Sequence, residues 1–360
     1  MESITSRAVL ARLQSEVLAA WQRGWQPAEL VRAIRRQATP RHAALVVDGI
    51  AAQMREYAPA TVDERWTAQL ADLNATVMWG ADDGLLQWWA AREQTTEAQM
   101  LDLVGVVLDH LRWLPRIPSA GPLPGQARPG GERRDNPTAV VNERMLDRVR
   151  ALLAKAESTT FPEEAEAYTA KAQELMARHS IDYALLMSRT GARDEPALRR
   201  IAVDNPYEAP KTLLLQAVAN ANRCRCGWTR EFGFATVMGF PTDLDAVELL
   251  FTSLLVQAVR AMTVVPTTTP SFRRAFLTAY AQRIGERLTE AAQTVVVQAS
   301  AETDLLPVLK RRDDEVQAKF REAFPAVRRQ TISVSNHHGW AEGRAAADRA
   351  DLHGRAAVRA

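Results

Sequence analysis

The stretch from Met145 to Leu186 limits the possible folds of this chain more than any other part of the sequence. In its first half, apolar residues recur at intervals of three and four, which predicts one buried helical face: Met145, Leu146, Val149, Leu152, Leu153 and Ala156. The second half repeats this spacing with Ala165, Tyr168, Ala172, Leu175, Met176 and His179. Two such faces bury their apolar surface by packing together, so the stretch predicts a helical hairpin.

The second helix of this hairpin has sequence signals at both ends. Thr160 and Glu163 have the spacing of a capping box, and Pro162 falls in the first turn, where its missing N–H costs nothing. We expect the helix to end near Ser180, with Asp182 as the cap of a short third helix.

The strings ALLAKAEST and EAEAYTAKAQELMARHSI resemble the signature of a bacterial and phage family catalogued as domain of unknown function 2786. The positions in register are Lys155, Glu157, Ser158, Thr159, Glu164, Ala165, Lys171, Ala172, Gln173, Glu174, Leu175 and Met176. The resemblance covers residues 142–187, and the region from Leu213 to Leu352 resembles the partner domain usually fused behind it. No activity is established for this family, so the resemblance implies the fold of this region but no reaction or ligand.

The composition limits the kinds of protein that this chain can be. A chain of 360 residues suits two or three domains, and 47% hydrophobic with 24% charged residues is typical of globular proteins. A net charge of +2 creates no global field that demands a nucleic-acid partner. Two cysteines exclude a disulfide framework, and no apolar run approaches about 18 residues. We therefore expect a cytoplasmic protein without a membrane partner.

The pattern along the chain predicts a mainly α fold with a small β-hairpin element. Residues 1–115 are expected to form a Trp-rich helical domain, and 116–140 a flexible linker rich in Pro and Gly. The helical hairpin occupies 141–190, and an α+β domain occupies 205–355. Its β-hairpin is predicted by alternation of Cys224, Cys226 and Trp228 with Arg223 and Arg225, and by Phe234, Thr236 and Met238 after a turn at 231–233. In the last segment, Gly339 and Gly343 have the spacing that lets two helices approach closely.

Seven of the nine tryptophans lie in the first domain. A tryptophan cluster can form a stacking platform or a groove for a protein partner. The core interpretation is favoured, because each ring buries a large apolar area with a single N–H to satisfy.

A set of arginines carries the functional hypothesis. Arg223, Arg225 and Arg230 on the predicted β-hairpin, with Arg273 and Arg274 on a long helix, are expected to line a basic groove. Arginines beside Trp228 and Phe232 combine phosphate contacts with base stacking, as in proteins that bind single-stranded nucleic acid. The alternative is a solvated surface of mixed charge, because acidic residues interleave with these arginines.

The alternative hypothesis is a small hydrolase or metal-dependent enzyme, and it rests on two histidines and two cysteines. His337 and His338 precede a helix N-terminus, where they can bind an anion or act as an acid/base pair. Cys224 and Cys226 are metal-ligand candidates, but structural zinc sites space their cysteines by two to four residues, which favours packing instead.

Three functional classes therefore stay open: a non-enzymatic nucleic-acid-associated protein, which we favour, an enzyme using the histidine loop, and an interaction scaffold. A continuous basic groove would favour the first, and a pocket joining the histidines to Cys226 or Asp243 the second. The sequence identifies no cofactor.

Overall fold

A computed structural model describes residues 6–127, 137–159, 161–190, 194–266, 269–300, 305–326 and 335–349. These residues fall into two compact units. The first contains 6–127 and 230–233, and the second contains the other described residues from 137 onward. The predicted mainly α fold with a small β element is confirmed, because helices dominate both units and the second holds a three-stranded sheet.

The first unit is helical, as its apolar periodicity predicts. Its helices are α1 (Ser6–Gln22), α2 (Pro27–Gln37), α3 (Pro40–Met54), α4 (Glu64–Asp72), α5 (Leu85–Arg92) and α6 (Glu97–Trp113). Two short 3-10 helices, Pro59–Thr61 and Asp82–Gly84, lie between them. Pro27 and Pro40 each occupy a first helical turn, where no N–H is required.

Most tryptophans of this unit belong to its core. Trp21 and Trp66 meet edge to face with ring centroids 5.0 Å apart, and the Trp21 indole N–H donates to Gln53 at 3.2 Å. Both rings are buried, as are Trp25, Trp79 and Trp89. Trp113 differs, because 86% of it is exposed at the end of α6.

The described part of the predicted linker, 116–127, is packed onto the first unit. The Ile117 amide donates to the Arg23 carbonyl at 2.8 Å, and the amides of Gly125 and Ala127 donate to the Thr61 carbonyl at 3.0 and 3.2 Å. These hydrogen bonds satisfy backbone groups in a segment that has no helix or strand of its own. Residues 128–136 lie outside the described residues, and the next helix begins at Pro137.

The predicted helical hairpin consists of α7 (Pro137–Ser158) and α8 (Pro162–Thr190). His179 of α8 and Asn142 of α7 are joined by a 3.1 Å hydrogen bond, so the helices run antiparallel. The predicted end near Ser180, with a third helix at Asp182, is wrong. Helix α8 continues because Ile181 and Ala184 extend its buried stripe. The predicted cap Thr160 lies outside the described residues.

The sheet has three antiparallel strands in the order β1-β3-β2, where β1 is Ala197–Ala202, β2 is Arg225–Thr229 and β3 is Phe234–Gly239. The predicted hairpin is β2 and β3, with Arg225 paired to Met238. Strand β1 is not predicted by the sequence pattern, since it lies between the predicted helical hairpin at 141–190 and the predicted α+β domain at 205–355. Every residue of the central strand β3 is buried.

The remaining elements of the second unit are helices α9 (Glu208–Ala221), α10 (Pro241–Val264), α11 (Pro270–Ser300), α12 (Leu306–Ala323) and α13 (His337–Arg349). One hydrophobic core joins α9, α10, α11 and α13 to the helical hairpin, whereas Leu309 of α12 packs in a second cluster with Ile181 and Ala184 of α8. That core includes Val149 and Leu153 of α7, Met176 of α8, Leu250 of α10 and Phe276 of α11. The hairpin and the C-terminal α+β region therefore belong to one unit.

Helix α13 packs directly on α11, as the glycine spacing predicts. A Cβ added at Gly343 would collide with the Phe276 carbonyl oxygen, and one added at Gly339 would collide with that of Phe272. The two backbones therefore approach more closely than any larger side chain permits.

Helix α10 is, among the described residues, the one helix long and apolar enough by length and composition to cross a membrane. Buried helices of a protein core share this composition. The buried face of α10, with Leu244, Val247, Leu250 and Leu254, lies in the core described above.

Candidate functional site

The end of α9 places an arginine in an unusual backbone position. Arg223 has a φ of +58°, in the left-handed region. Its amide donates to the Asn220 carbonyl at 3.3 Å, and the Cys224 amide donates to the Ala219 carbonyl at 2.9 Å. This pair of bonds is a Schellman motif, whose left-handed residue is usually glycine because a Cβ is unfavourable there. An arginine that retains this conformation is a candidate for a functional role.

Helix α12 partly covers the strand face that begins with Arg223. The Arg223 guanidinium donates to Asp313 at 2.9 Å, and Arg225 Nε donates to Gln317 Oε1 at 2.9 Å. The ring of Phe320 lies against Gly227. Residues at positions i, i+4 and i+7 of α12 therefore meet alternate residues of the strand segment. Both arginines remain partly exposed, with 26% of the Arg223 side chain accessible.

These arginines border a cavity of about 420 Å³, here called the Asp243 cavity. Elements distant in sequence line it: Ala177, Ser180 and Ile181 of α8; Asn220, Ala221, Asn222, Arg223 and Arg225 at α9 and β2; Asp243 of α10; Thr289, Ala292, Gln293, Val296 and Val297 of α11; and Asp313 of α12. Val297 is 72% exposed and Asp243 only 4%, so Val297 marks the open end and Asp243 the closed end.

The closed end carries a buried carboxyl group. Pro241 is the first residue of α10, which places Asp243 in the first turn of that helix. Burial raises the pKa of Asp243 to about 6, although a hydrogen bond from Ser180 and the charges of Arg312 and Arg223 act in the opposite direction. Desolvation therefore outweighs these attractive contacts. Above pH 7 the group is mainly ionised.

Arg312 is a second buried charge near Asp243. Its guanidinium lies 3.4 Å from the centroid of the Phe240 ring, and one of its nitrogens is 3.9 Å from an Asp194 carboxylate oxygen. Burial lowers the pKa of Arg312 and raises that of Asp194. Both residues line a second cavity of about 630 Å³, whose charged residues include Arg311, Glu315 and Lys319.

The structure brings only some of the predicted arginines together. Arg223 and Arg225 share the Asp243 cavity, whereas Arg230 lies in the turn after β2 and does not line it. Arg273 and Arg274 are in the first turn of α11, and that helix reaches the cavity only at Thr289. The separation along the helix axis is about 22 Å. Arg273 and Arg274 therefore do not line the Asp243 cavity, and a basic groove that joins them to Arg223 stays a prediction.

The aromatic residues of the β-hairpin do not provide a stacking surface. Trp228 is partly buried against the core of the second unit, and Phe232 is buried. Base stacking by these two rings therefore has no support in the structure.

The two cysteines lie in the core. Cys224 and Cys226 are buried, and the Cys224 thiol donates to the Asn222 carbonyl at 3.3 Å. Burial raises the pKa of Cys226 to about 12 and also raises the pKa of Cys224 well above its usual value. Thiolates are the form that binds metals or acts as a nucleophile, so both thiols are in the inert form near neutral pH.

His337 and His338 are exposed at the start of α13, and neither lines either cavity. The Asn336 side chain caps this helix by accepting the Gly339 amide at 2.8 Å. His338 lies beside Phe272, with ring centroids 5.4 Å apart. In the described part of the chain, no group of three His, Cys, Asp or Glu residues is arranged to hold a metal ion.

Several cavity residues are absent from the set predicted from sequence, above all Ser180, Gln293 and Asp313. The predicted helix end near Ser180 hides its position on the cavity lining. The apolar residues Ile181 and Ala184 that follow are the signal that the helix continues, and they place Ser180 on its inner side.

The fold and the cavity together define a mainly α protein built around a helical hairpin. The family model described as "Protein of unknown function (DUF2786)" matches residues 144–183, which lie in α7 and α8 and the turn between them. The resemblance of the hairpin to this family is thereby confirmed, and Ala177, Ser180 and Ile181 of the cavity lie inside the matched range. The match does not include residues 213–352, so their resemblance to a partner domain stays a prediction. No curated protein and no solved structure matches the chain.

Proposed function

We propose that the second unit binds single-stranded nucleic acid, with one unstacked base in the Asp243 cavity and adjacent phosphates on Arg223 and Arg225. The observation that carries this proposal is Arg223 itself. A glycine would be the unstrained residue at its backbone position, yet an arginine stands there and directs a guanidinium to the cavity border. Arginine is suited to phosphate because its planar guanidinium donates two parallel hydrogen bonds.

The interior of the cavity suits a nucleobase. Its volume of about 420 Å³ lies within the range of small-molecule sites. Apolar side chains of Ala177, Ile181 and Val296 line it together with the amide of Gln293. Proteins recognise unstacked bases in this way, with apolar contacts to the ring faces and hydrogen bonds to the base edges.

The cavity favours binding over hydrolysis. Its hydroxyl residues are Ser180, which donates to the Asp243 carboxyl group, and Thr289, and none of its described lining residues is a histidine. The histidines that an enzymatic function would use line neither cavity.

The proposal is tested by fluorescence anisotropy with labelled single strands of mixed sequence. Each phosphate contact contributes about −0.7 to the slope of log affinity against log salt concentration. For two contacts, affinity should fall about sevenfold between about 50 and 200 mM salt. Replacing Arg223 and Arg225 together by Ala should weaken binding at low salt and reduce the slope by about 1.4.

The matched control is the double variant Arg273→Ala, Arg274→Ala. It removes the same charge from the distant end of α11 and should leave both affinity and slope almost unchanged. Absence of binding by the folded protein at about 50 mM salt would contradict the proposal. Equal losses in the two double variants would show that net charge, and not the cavity, causes binding.

We also place the protein in the cytoplasm. The support is its cysteine usage: Cys224 and Cys226 are free thiols, as is usual in a reducing compartment.

A further inference from the structure

The closed end of the Asp243 cavity presents hydrogen-bond acceptors to a ligand. Asp243 is 4% exposed and lines the cavity, and its carboxylate accepts a hydrogen bond from Ser180. An ionised carboxylate has about four acceptor positions on its two oxygens and no donor. One serine hydroxyl therefore leaves capacity for two further donors.

Asp243 is in its acceptor form at pH 7.5, although its surroundings raise its pKa. Arg312 of α12 and Arg223 before β2 lower its pKa, while burial and the charge of Asp194 raise it. The resulting pKa of about 6 leaves Asp243 mainly ionised at pH 7.5. A ligand that donates two hydrogen bonds would favour the ionised form further.

Among the four bases, guanine alone presents two adjacent donors on its Watson–Crick edge, N1–H and the N2 amino group. Adenine and cytosine place a ring acceptor beside their amino group, and thymine or uracil flanks its single N–H with two carbonyl oxygens. An acceptor atom facing a carboxylate is unfavourable, because neither group can donate and both are desolvated.

We infer that the Asp243 cavity selects guanine within single-stranded nucleic acid, with N1–H and N2–H donating to the Asp243 carboxylate. This inference rests on the proposed function and adds the identity of the base. Asp243 is the specificity-determining residue, and Ser180 positions its carboxylate. The exposed amide of Gln293 lies on the same cavity lining and can contact the remaining base atoms.

The test uses labelled oligothymidine strands that differ at one central position, which holds dG, dA, dC or deoxyinosine. Deoxyinosine is the matched control because it keeps N1–H and lacks only the N2 amino group. At pH 7.5 the dG strand should bind roughly 5- to 150-fold more tightly than the dA and dC strands, as a bidentate pair discriminates. The deoxyinosine strand should fall between them.

Asp243→Asn should abolish this preference, because an amide replaces one acceptor with a donor. It should leave the salt slope unchanged, since the arginines are intact. Competition by 5′-GMP, 5′-IMP and 5′-AMP with the unsubstituted protein gives the same ranking, and so provides a test even if the Asp243 variant fails to fold.

The outcomes separate the two proposals. Equal binding of all four strands by the unsubstituted protein would overturn the guanine assignment and leave the proposed function standing. A guanine preference that survives Asp243→Asn in the folded protein would overturn the role of Asp243. If no strand binds, both proposals fall.

Discussion

Arg223 and Asp313 form an ion pair across 2.9 Å that links the left-handed residue after α9 to α12. The pair lies at the cavity border, with 26% of the arginine and 38% of the aspartate side chain exposed. In the proposed complex, a phosphate must compete with Asp313 for the same guanidinium. The ion pair therefore sets the strength of the phosphate contact.

Asp313→Asn should increase affinity for single strands, since it removes a competing charge. We expect a gain of several-fold at low salt, with little change in stability because partly exposed ion pairs contribute about 0–1 kcal/mol. Anisotropy titration measures the first quantity and urea denaturation the second. Glu315→Gln removes an equal charge from α12 at a residue that does not line the Asp243 cavity, and should have a smaller effect. Weaker binding by Asp313→Asn would contradict this view of the pair.

Arg223→Gly and Arg223→Ala should separate the backbone role of this position from its side-chain role. Both variants lose the guanidinium and should bind single strands more weakly. Glycine tolerates the left-handed conformation, so Arg223→Gly should be more stable than Arg223→Ala by about 1 kcal/mol. Chemical denaturation of both variants decides the point. An alanine variant as stable as the glycine variant would show that the position is not strained.

The pH dependence of stability should report on Asp243. Its pKa is raised from 3.8 to about 6 in the folded protein, so between these pH values the folded state binds more protons than the unfolded state. Stability contributed by this group is therefore present at low pH and is lost as pH rises through the window, by about 3 kcal/mol in total. Asp243→Asn cannot titrate, so its stability relative to the unsubstituted protein should rise with pH and level off above about 7. A constant difference between pH 4 and 7 would contradict the raised pKa.

Leu153→Ala should destabilise the second unit by about 2–5 kcal/mol, because Leu153 is buried in the core that joins α7 to α8, α10 and α11. Leu186→Ala is the control on the same hairpin. Leu186 is 41% exposed, so its truncation should cost about 0.5 kcal/mol or less. Thermal unfolding of both variants measures the difference. A loss below about 1 kcal/mol for Leu153→Ala would mean that its contacts are not formed in solution.

Gly343→Ala should destabilise the packing of α13 on α11, because the added methyl group meets the Phe276 carbonyl oxygen. A cost of about 1–3 kcal/mol is typical of overpacking. Gly105→Ala is the matched control: it lies within α6, and nothing stands within 4 Å of its added Cβ. Helix propensity alone should then stabilise the protein by up to about 1 kcal/mol. Opposite signs in the two variants are the expected result.

The helices with wide apolar faces were predictable from sequence because their spacing repeats locally. Helix α12 was not predicted, because its buried face is not purely apolar. That face consists of Leu309, Arg312 and Val316, and the charged Arg312 lies in its middle. Strand β1 was missed for a similar reason. Its central residue Arg199 pairs with Asp245 and Glu248 of α10, partners that no local pattern reveals.

The residues of the candidate site likewise include some that local spacing predicts and others that only the tertiary structure reveals. Arg223 and Arg225 were predictable because they alternate with apolar residues on a strand pattern. The pKa of Asp243 depends on its burial and on contacts with Ser180, Arg312 and other groups contributed by separate elements. A carboxyl group acquires a raised pKa only when these elements assemble, so its role follows from tertiary structure and not from residue spacing.

The glycine contact between α13 and α11 has a consequence for synthesis of the protein. Helix α13 adds Ala346 and Ala347 to a core whose other members begin at Val149. A ribosome must therefore translate about two hundred residues after the first core residue before the last one becomes available. Until then, the emerging chain exposes the Phe272 and Phe276 surface that α13 later covers. We expect this interval to be the period in which the nascent chain most needs a chaperone.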